Sequence, residues 1–415
     1  MVRICELPGL RPRRSPRLRY RPGFESCQSK LTFDFNTLLS ASASAVVWPA
    51  GKPPGGKYTQ MPPMNPSWSD YLAAHGASFD RGGVASFGAP VAELVAARDT
   101  AVVCDLSALS VLRIAGPDAE AFLQGQFTDD VAALGPGEAQ YGAWCSPKGR
   151  MLANFLIRRS GESIFDVLLP ESLSEAIAKR LRMFVLRSRV TVADASSESV
   201  RLGVGGPGAG NAVGRALGAA PAVGDVASFD DQLVAALPGP RYVITVAPDA
   251  AAPCWERLAS LCRPAGFAAW QWLTIRAGVP VITASTSDLF VPQAANWDAL
   301  GGISFQKGCY SGQEIVARTQ YLGRLKERLA LAHLDGEPPA PGERLYSAAF
   351  GEQACGTIVN AAAAPDGGSD VLAVLQLAAA ESGDVHLAAP GGASLRLSAL
   401  PYEAPAPAAP RGRIA

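Results

Sequence analysis

Apolar and polar positions change rhythm several times along the chain, and each rhythm predicts a different element. The run VVCDLSALSVLRIAG (102–116) alternates with period two, as half-buried strands do. GPDAEAFLQGQF (116–127) passes into a helix: Gly116-Pro117-Asp118 supplies turn chemistry, and Ala121, Phe122 and Gly125 share a face. AQYGAWCSPKGRMLANFLIRRSG reads as a hairpin with Ser146-Pro147-Lys148-Gly149 at its tip, and SIFDVLLP as another strand. In SLSEAIAKRLRMF, Leu173, Ile177, Leu181 and Phe184 fall at helical spacing, with Ser172 and Glu175 as a capping box. That stripe predicts core packing. Strand rhythm returns at SRVTVAD, VRLGVGG and RYVITVAP, and APCWERLASLCRPAG predicts a helix stopped at Gly266. Beyond about residue 326, short apolar runs split by Gly and Pro predict a small β-barrel or sandwich.

Composition narrows the class. The 415 residues are 48% hydrophobic and 18% charged, enough to bury a large core in two or three units. The longest apolar runs, such as VLAVLQLAAA (371–380), are too short for a membrane helix. Eight cysteines form no C-x-x-C, and a chain of this size needs no disulfide staples, so reduced thiols are expected. Three widely separated histidines argue against a His/Cys zinc site. Eight of the 37 basic residues but two of the 37 acidic ones fall in residues 1–30, leaving 29 against 35 elsewhere. A mildly acidic body argues against direct nucleic-acid binding. Residues 1–62 are Arg-, Pro- and Gly-rich. They read as a transit peptide, a basic tail or a spurious upstream extension. The last is preferred, because four prolines break the helix a transit peptide needs, and disorder is expected in each case.

Two glycine-bearing stretches carry candidate chemistry. VRLGVGGPGAGNAVGRAL holds G-x-G-x-x-G at Gly203, Gly205 and Gly208, but the chain lacks the strand–helix alternation of a doubly wound sheet. A Gly-rich strand-to-helix turn is the preferred reading. FQKGCYSGQEIVAR (305–318) places Cys309 beside Lys307, between Gly308 and Gly312, just before a predicted helix. Ser311 and Glu314 spell a capping box, Glu314 and Arg318 are spaced i,i+4, Gly323 suits the helix stop, and ISF before it reads as a short strand. A helix N-terminus and a nearby ammonium favour a thiolate. No histidine lies nearby in sequence to serve as base, so a Cys–His hydrolase is poorly supported.

Residues 275–324, ending in KGCYSGQEIVAR-TQYLGR, together with 116–131 and 145–155, resemble the YgfZ family. Those are folate-binding proteins related to the aminomethyltransferase T-protein of the glycine cleavage system and linked to iron–sulfur cluster assembly or repair. The resemblance covers roughly residues 66–400. It implies an α+β fold in which two intertwined domains (63–325) form a ring around a central folate cleft, followed by a C-terminal β-barrel (326–402) and a loose tail (403–415). It implies tetrahydrofolate, or a one-carbon derivative, as cofactor. Cys309 and Lys307 would be the functional pair. Gln124, Gln126, Asn154, Gln293, Asn296, Gln313 and Glu314 are candidates for polar pairing, and Arg318 and Arg324 for the glutamate tail.

Where the aminomethyltransferases carry an Asp-Asp pair in G-G-x-x-D-D, this chain reads Gly149-Arg150-Met151-Leu152-Ala153-Asn154. The missing carboxylates favour an accessory factor for iron–sulfur proteins, supporting tRNA modification, over a one-carbon transferase. The implied partners are transient iron–sulfur clients or assembly proteins, folate, no membrane and no direct nucleic acid, with a monomer expected. A cytoplasmic location is expected, or the mitochondrial matrix if the Arg-rich leader is a transit peptide.

Overall fold

The computed structural model describes residues 64–405 except 81, 230–231 and 322–324. The expectations for residues 1–62 and for Gly323 and Arg324 lie outside the described residues. Three larger sheets and a short hairpin make up the β structure. The first sheet runs in the order Val226–Phe229, Gln232–Leu237, Arg241–Val246, Val200–Gly205, Val102–Asp105, Arg263–Ala265; its last pair alone is parallel. The second is a three-strand antiparallel meander with two added strands: Ala139–Cys145, Met151–Gly161, Ile164–Pro170, Leu109–Ala115, Thr191–Asp194. The third, between Glu327 and Ser398, is antiparallel and curled, with Ala354–Ala363, Ser369–Gln376 and Glu327–Leu334 at its centre.

The chain leaves the first sheet at Asp105, builds the whole second sheet, and returns to the first at Val200. An α+β fold with two interleaved sheets follows from that path. The strand Val200–Gly205 is antiparallel to both its neighbours. The G-x-G-x-x-G turn therefore opens no parallel βαβ unit, the frame a dinucleotide fingerprint needs.

Local chemistry accounts for most elements. Asn65 caps the first helix, Pro66–Ala74, by accepting from the amides of Ser67 (3.1 Å) and Trp68 (3.4 Å). The hairpin at 139–161 turns through 146–149 as its sequence predicts. Four local readings need correction. The helix Glu171–Val185 begins one residue before Ser172 and has no side-chain cap, so the Ser172–Glu175 box does not form. Leu173, Ile177 and Leu181 are buried, but Phe184 is 43% exposed, with its edge-on packing against Trp144 (5.9 Å) on the protein side. Gly266 does not stop a helix: the preceding helix ends at Ala259, and Gly266 starts Phe267–Arg276. A Cβ on Gly266 would meet the Ala85 carbonyl at 2.0 Å, so close backbone approach explains the glycine. Finally, 303–305 forms no strand; residues 279–310 run as successive turns and extended chain, bonded within the turns and, at a few points, to other segments.

That irregular stretch is held from both sides. The Asn154 amide donates to the Pro280 carbonyl (2.7 Å) and accepts from the Ile282 amide (2.8 Å). Asn360, in the third sheet, accepts from the Val281 amide (2.8 Å) and donates to its carbonyl (2.9 Å). Two side-chain amides thus act as strand partners for one extended segment and tie the second and third sheets together.

A close backbone approach joins the hairpin turn to the helix Gln313–Tyr321. Gly149 (φ +68) and Gly312 (φ +79) both occupy the left-handed region. A Cβ on Gly312 would lie 2.4 Å from the Ser146 carbonyl oxygen, and one on Gly149 would lie 2.7 Å from Ile315 Cβ. Gly301 (φ +76) has the same backbone requirement but open space. Gly301→Ala should therefore lose about 1 kcal/mol of stability, and Gly312→Ala at least about 1 kcal/mol more. Thermal melts of the two variants check this, and equal shifts would contradict the close-packing account.

Candidate functional site

The three sequence blocks 116–131, 145–155 and 275–324 meet at one place. The first contributes the segment after the helix Ala119–Gln124. Gln124 closes that segment on itself: its amide donates to Asp130 Oδ1 (2.8 Å), and its carbonyl accepts from the Ala132 amide (3.2 Å). Thr128 sits at the crossing. Its hydroxyl donates to the Gly302 carbonyl (2.6 Å) and accepts from the Ala143 amide (3.0 Å), while its carbonyl accepts from the Ser304 amide (2.8 Å). One buried threonine therefore links the first block to the third and to the strand Ala139–Cys145 that leads into the second.

The hairpin block anchors the start of the irregular stretch. Ser146 Oγ donates to Asp288 Oδ1 (2.6 Å), Ser287 Oγ to the Leu152 carbonyl (2.8 Å), and Arg150 to the Leu289 carbonyl (2.8 Å). The Met151 amide and carbonyl bond Phe290 and Asp288, each at 2.8 Å. Asp288 takes up this position at φ +62, where Asp is one of the few tolerated residues.

Cys309 rides on a loop pinned by Lys307. The Lys307 ammonium donates to the carbonyls of Phe127 (2.8 Å) and Asp129 (2.6 Å) and lies 5.3 Å from the Tyr310 ring centroid. Gln313 Nε2 reaches back to the Gly308 carbonyl (3.3 Å). The helix starts at Gln313, and the Gly312 carbonyl accepts its first bond, from the Val316 amide (3.3 Å), so Gly312 and not Ser311 occupies the cap. Neither half of the Ser311–Glu314 capping box forms, and Glu314 and Arg318 are exposed without pairing to each other. Among the six described free cysteines, Cys309 alone is exposed. Burial pushes the thiols of Cys104 and Cys145 up, and those of Cys254 and Cys262 to about 11. A thiol reagent meets one accessible, unburied sulfur here.

Beneath the loop lies a carboxylate that the sequence reading passed over. Asp129 is fully buried; Gln140 donates to its Oδ2 (2.8 Å), and its Oδ1 has no partner. That oxygen is pressed against Gly142, where a Cβ would stand 2.1 Å away. Burial pushes Asp129 up to about 7, against the pull of Lys307. Burial likewise lowers Lys307 to about 8, against the pull of Asp129 and then Asp130. The signal was present in sequence as the adjacent pair Asp129-Asp130, but nothing local marked which of the two is buried.

The candidate ligand contacts divide by what their polar atoms already do. Gln126 Oε1 and Gln293 Oε1 are buried acceptors with no partner, although Gln293 Nε2 donates to the Val316 carbonyl (2.7 Å). Such orphaned acceptors suit the N–H edge of a pterin. Gln124 and Asn154 are saturated by protein groups. Asn296 (φ +56) donates to the Leu329 carbonyl (3.3 Å) and accepts from Arg328 (3.3 Å), bracing the third sheet. No group of three or more His, Cys, Asp or Glu side chains fit to hold a metal occurs among the described residues.

Comparison with known proteins agrees with this assembly. The GCVT N-terminal domain model matches residues 71–224. A protein named tRNA-modifying protein YgfZ from Klebsiella pneumoniae is 36% identical over 296 residues, 70% of this chain and 89% of that protein. Its namesake from Sodalis glossinidius is 33% identical over 299 residues, 71% of this chain and 90% of that protein. The crystal structure of glycine cleavage system aminomethyltransferase T from Bartonella henselae superposes with TM-score 0.64 at 18% identity, over 80% of this chain and 96% of that one, a likeness of fold.

Because folded Asp129 holds a proton to about pH 7 while an unfolded aspartate releases it near about 4, the folded state binds more protons in that interval. Its contribution to stability is present below about pH 4 and is lost as pH rises toward 7. The stability of Asp129→Asn relative to the parent should therefore climb between pH 5 and 7 in denaturant titrations. A constant difference across that window would show that Asp129 ionises normally.

Proposed function

The chain belongs to the YgfZ family, and from that premise we propose that it is a tetrahydrofolate-binding accessory protein. In this reading it supports assembly or repair of iron–sulfur proteins, with Cys309 as the functional thiol. Support of tRNA modification, which the curated relatives' name describes, would follow through enzymes that depend on such clusters. The observation that carries the reading is the Cys309 loop itself. An exposed sulfur is held by Lys307 on the carbonyls of Phe127 and Asp129, at the point where all three family blocks converge.

Folate, when bound, supplies a one-carbon carrier and a polar pterin edge. Gln126 and Gln293 would meet that edge with their free acceptors, and Arg318, exposed on the motif helix, would face the tail carboxylates. Lys307 and Gln313 would orient the loop so that the Cys309 sulfur stays exposed. A single cysteine cannot hold a stable cluster, so any iron or sulfur would be shared with a partner. The finer architecture of the proposal is the ring of 63–325 closed by a barrel at 326–402. Location in the cytoplasm belongs to the same reading; no helix among the described residues is long and apolar enough to cross a membrane.

The competing one-carbon transferase reading meets an obstacle at Asn154. That side chain needs one donor and one acceptor to hold Pro280 and Ile282. A carboxylate offers acceptors only and would face the Pro280 carbonyl with an unpaired charge. The amide in place of the superfamily's carboxylate is thus built into the fold. Asn154→Asp should cost about 3 kcal/mol in chemical denaturation and confer no aminomethyl transfer. Unchanged stability with a gain of transferase turnover would revive the transferase.

Tetrahydrofolate binding by calorimetry, on the full chain and on Cys309→Ala, tests the main proposal. Both should bind alike, while Cys309→Ala should fail to sustain iron–sulfur enzyme activities under oxidative stress. Absence of binding by the parent chain would remove the folate reading, and full support by Cys309→Ala would remove the thiol's role.

A further inference from the structure

The helix Glu171–Val185 packs Leu173, Ile177 and Leu181 inward, then changes character over its last turn and the loop beyond. Seven large apolar side chains are exposed among the described residues, and three stand within four positions: Met183 (66%), Phe184 (43%) and Leu186 (86%). Leu186 takes φ +43 and ψ −102, a region that a bulky side chain rarely enters. The chain bears that strain while holding the leucine outward. Lys179, Arg180, Arg182, Arg187 and Arg189 surround the trio, and no carboxylate occurs from 176 to 193. Arg189 pairs with Asp118, and Arg182 donates to the Val192 carbonyl. Lys179, Arg180 and Arg187 form no ion pair among the described residues. Below them lies the buried Trp144 indole, edge-on to Phe184 at 5.9 Å and 5.7 Å from the Arg180 guanidinium; its N–H has no acceptor.

The chemistry selects among occupants. A second copy placed symmetrically here would set cations against cations, and the Arg-rich residues 1–30 carry the same sign. A nucleic acid would satisfy the cations but leave Met183 and Leu186 in water. An interfacial membrane helix needs its apolar face free, and here that face is spent on the core. Apolar anchors ringed by unpaired cations match a protein surface that presents apolar side chains among carboxylates.

We propose that the end of this helix is a docking surface for an acidic protein partner, with Met183, Phe184 and Leu186 as its apolar seat and Lys179, Arg180 and Arg187 as its charged rim. The surface would serve the partner that the accessory role requires, and in that respect the proposal rests on that reading.

The test uses the full chain and a fluorescein-labelled helical peptide whose one face is leucine and whose flanks are glutamate, with a serine-for-leucine version as control. Binding is read by anisotropy. Met183→Ser with Leu186→Ser, and separately Arg180→Glu with Arg187→Glu, should each weaken binding about tenfold or more, with melts that superimpose on the parent. The serine peptide should not bind. The charge-reversed pair keeps the apolar trio, so it decides the matter if the serine pair melts early. Equal binding by the parent and the charge-reversed pair overturns the proposal. So does patch-dependent binding that favours phosphatidylglycerol vesicles or bulk tRNA over the peptide. Calorimetry with tetrahydrofolate on the parent chain separates the two readings: absence of peptide binding by the parent with folate binding intact sinks the docking surface alone, and patch-dependent peptide binding without folate binding sinks the folate reading alone.

Discussion

The site exists because two stretches of backbone, distant in sequence, approach closer than any side chain would allow. The hairpin turn ending at Gly149 and the helix start at Gly312 touch through positions with no Cβ, both in the left-handed region. From that contact the order of the Cys309 loop follows. The helix cannot begin earlier, because Gly312 carries the turn, and the loop before it must run along the 127–130 segment to reach Lys307's two carbonyls. Thr128 then ties the same segment to the strand Ala139–Cys145 and to residues 302–304. Backbone approach sets the geometry; side chains secure it.

Charge burial is the cost of that arrangement. Lys307 leaves water to bind carbonyls, and Asp129 is buried with one oxygen unpaired. Each would be strongly unfavourable alone. Together they offset part of the penalty, with Asp129 raised to about 7 and Lys307 lowered to about 8. Lys307 holds the loop through the backbone carbonyls of Phe127 and Asp129, which leaves the thiol free of local partners.

The irregular stretch 279–310 shows how an ordered site can lack regular structure. Its backbone groups are satisfied by its own turns and by Asn154, Asn360, Arg150 and the backbone of Met151. The Asn154 amide clamps the second sheet to this stretch. It does so with one donor and one acceptor, a pair that a carboxylate cannot supply.

Strong local signals were legible in the sequence. Alternating and apolar runs located many strands of the three sheets, turn chemistry located the hairpin tip at 146–149, and the KGCYSGQE block marked the exposed loop and the helix after it. Those features depend on neighbours within a few residues, so one chain suffices to show them. Tertiary structure alone decided the rest. It made Gly266 a contact point and not a helix stop, left Phe184 in solvent although it shares a stripe with buried leucines, and moved the cap from Ser311 to Gly312. It chose Asp129 over Asp130 for burial and spent Asn154 and Asn296 on bracing. Each of these outcomes turns on which distant segment lies across a residue, and local periodicity carries no information about that.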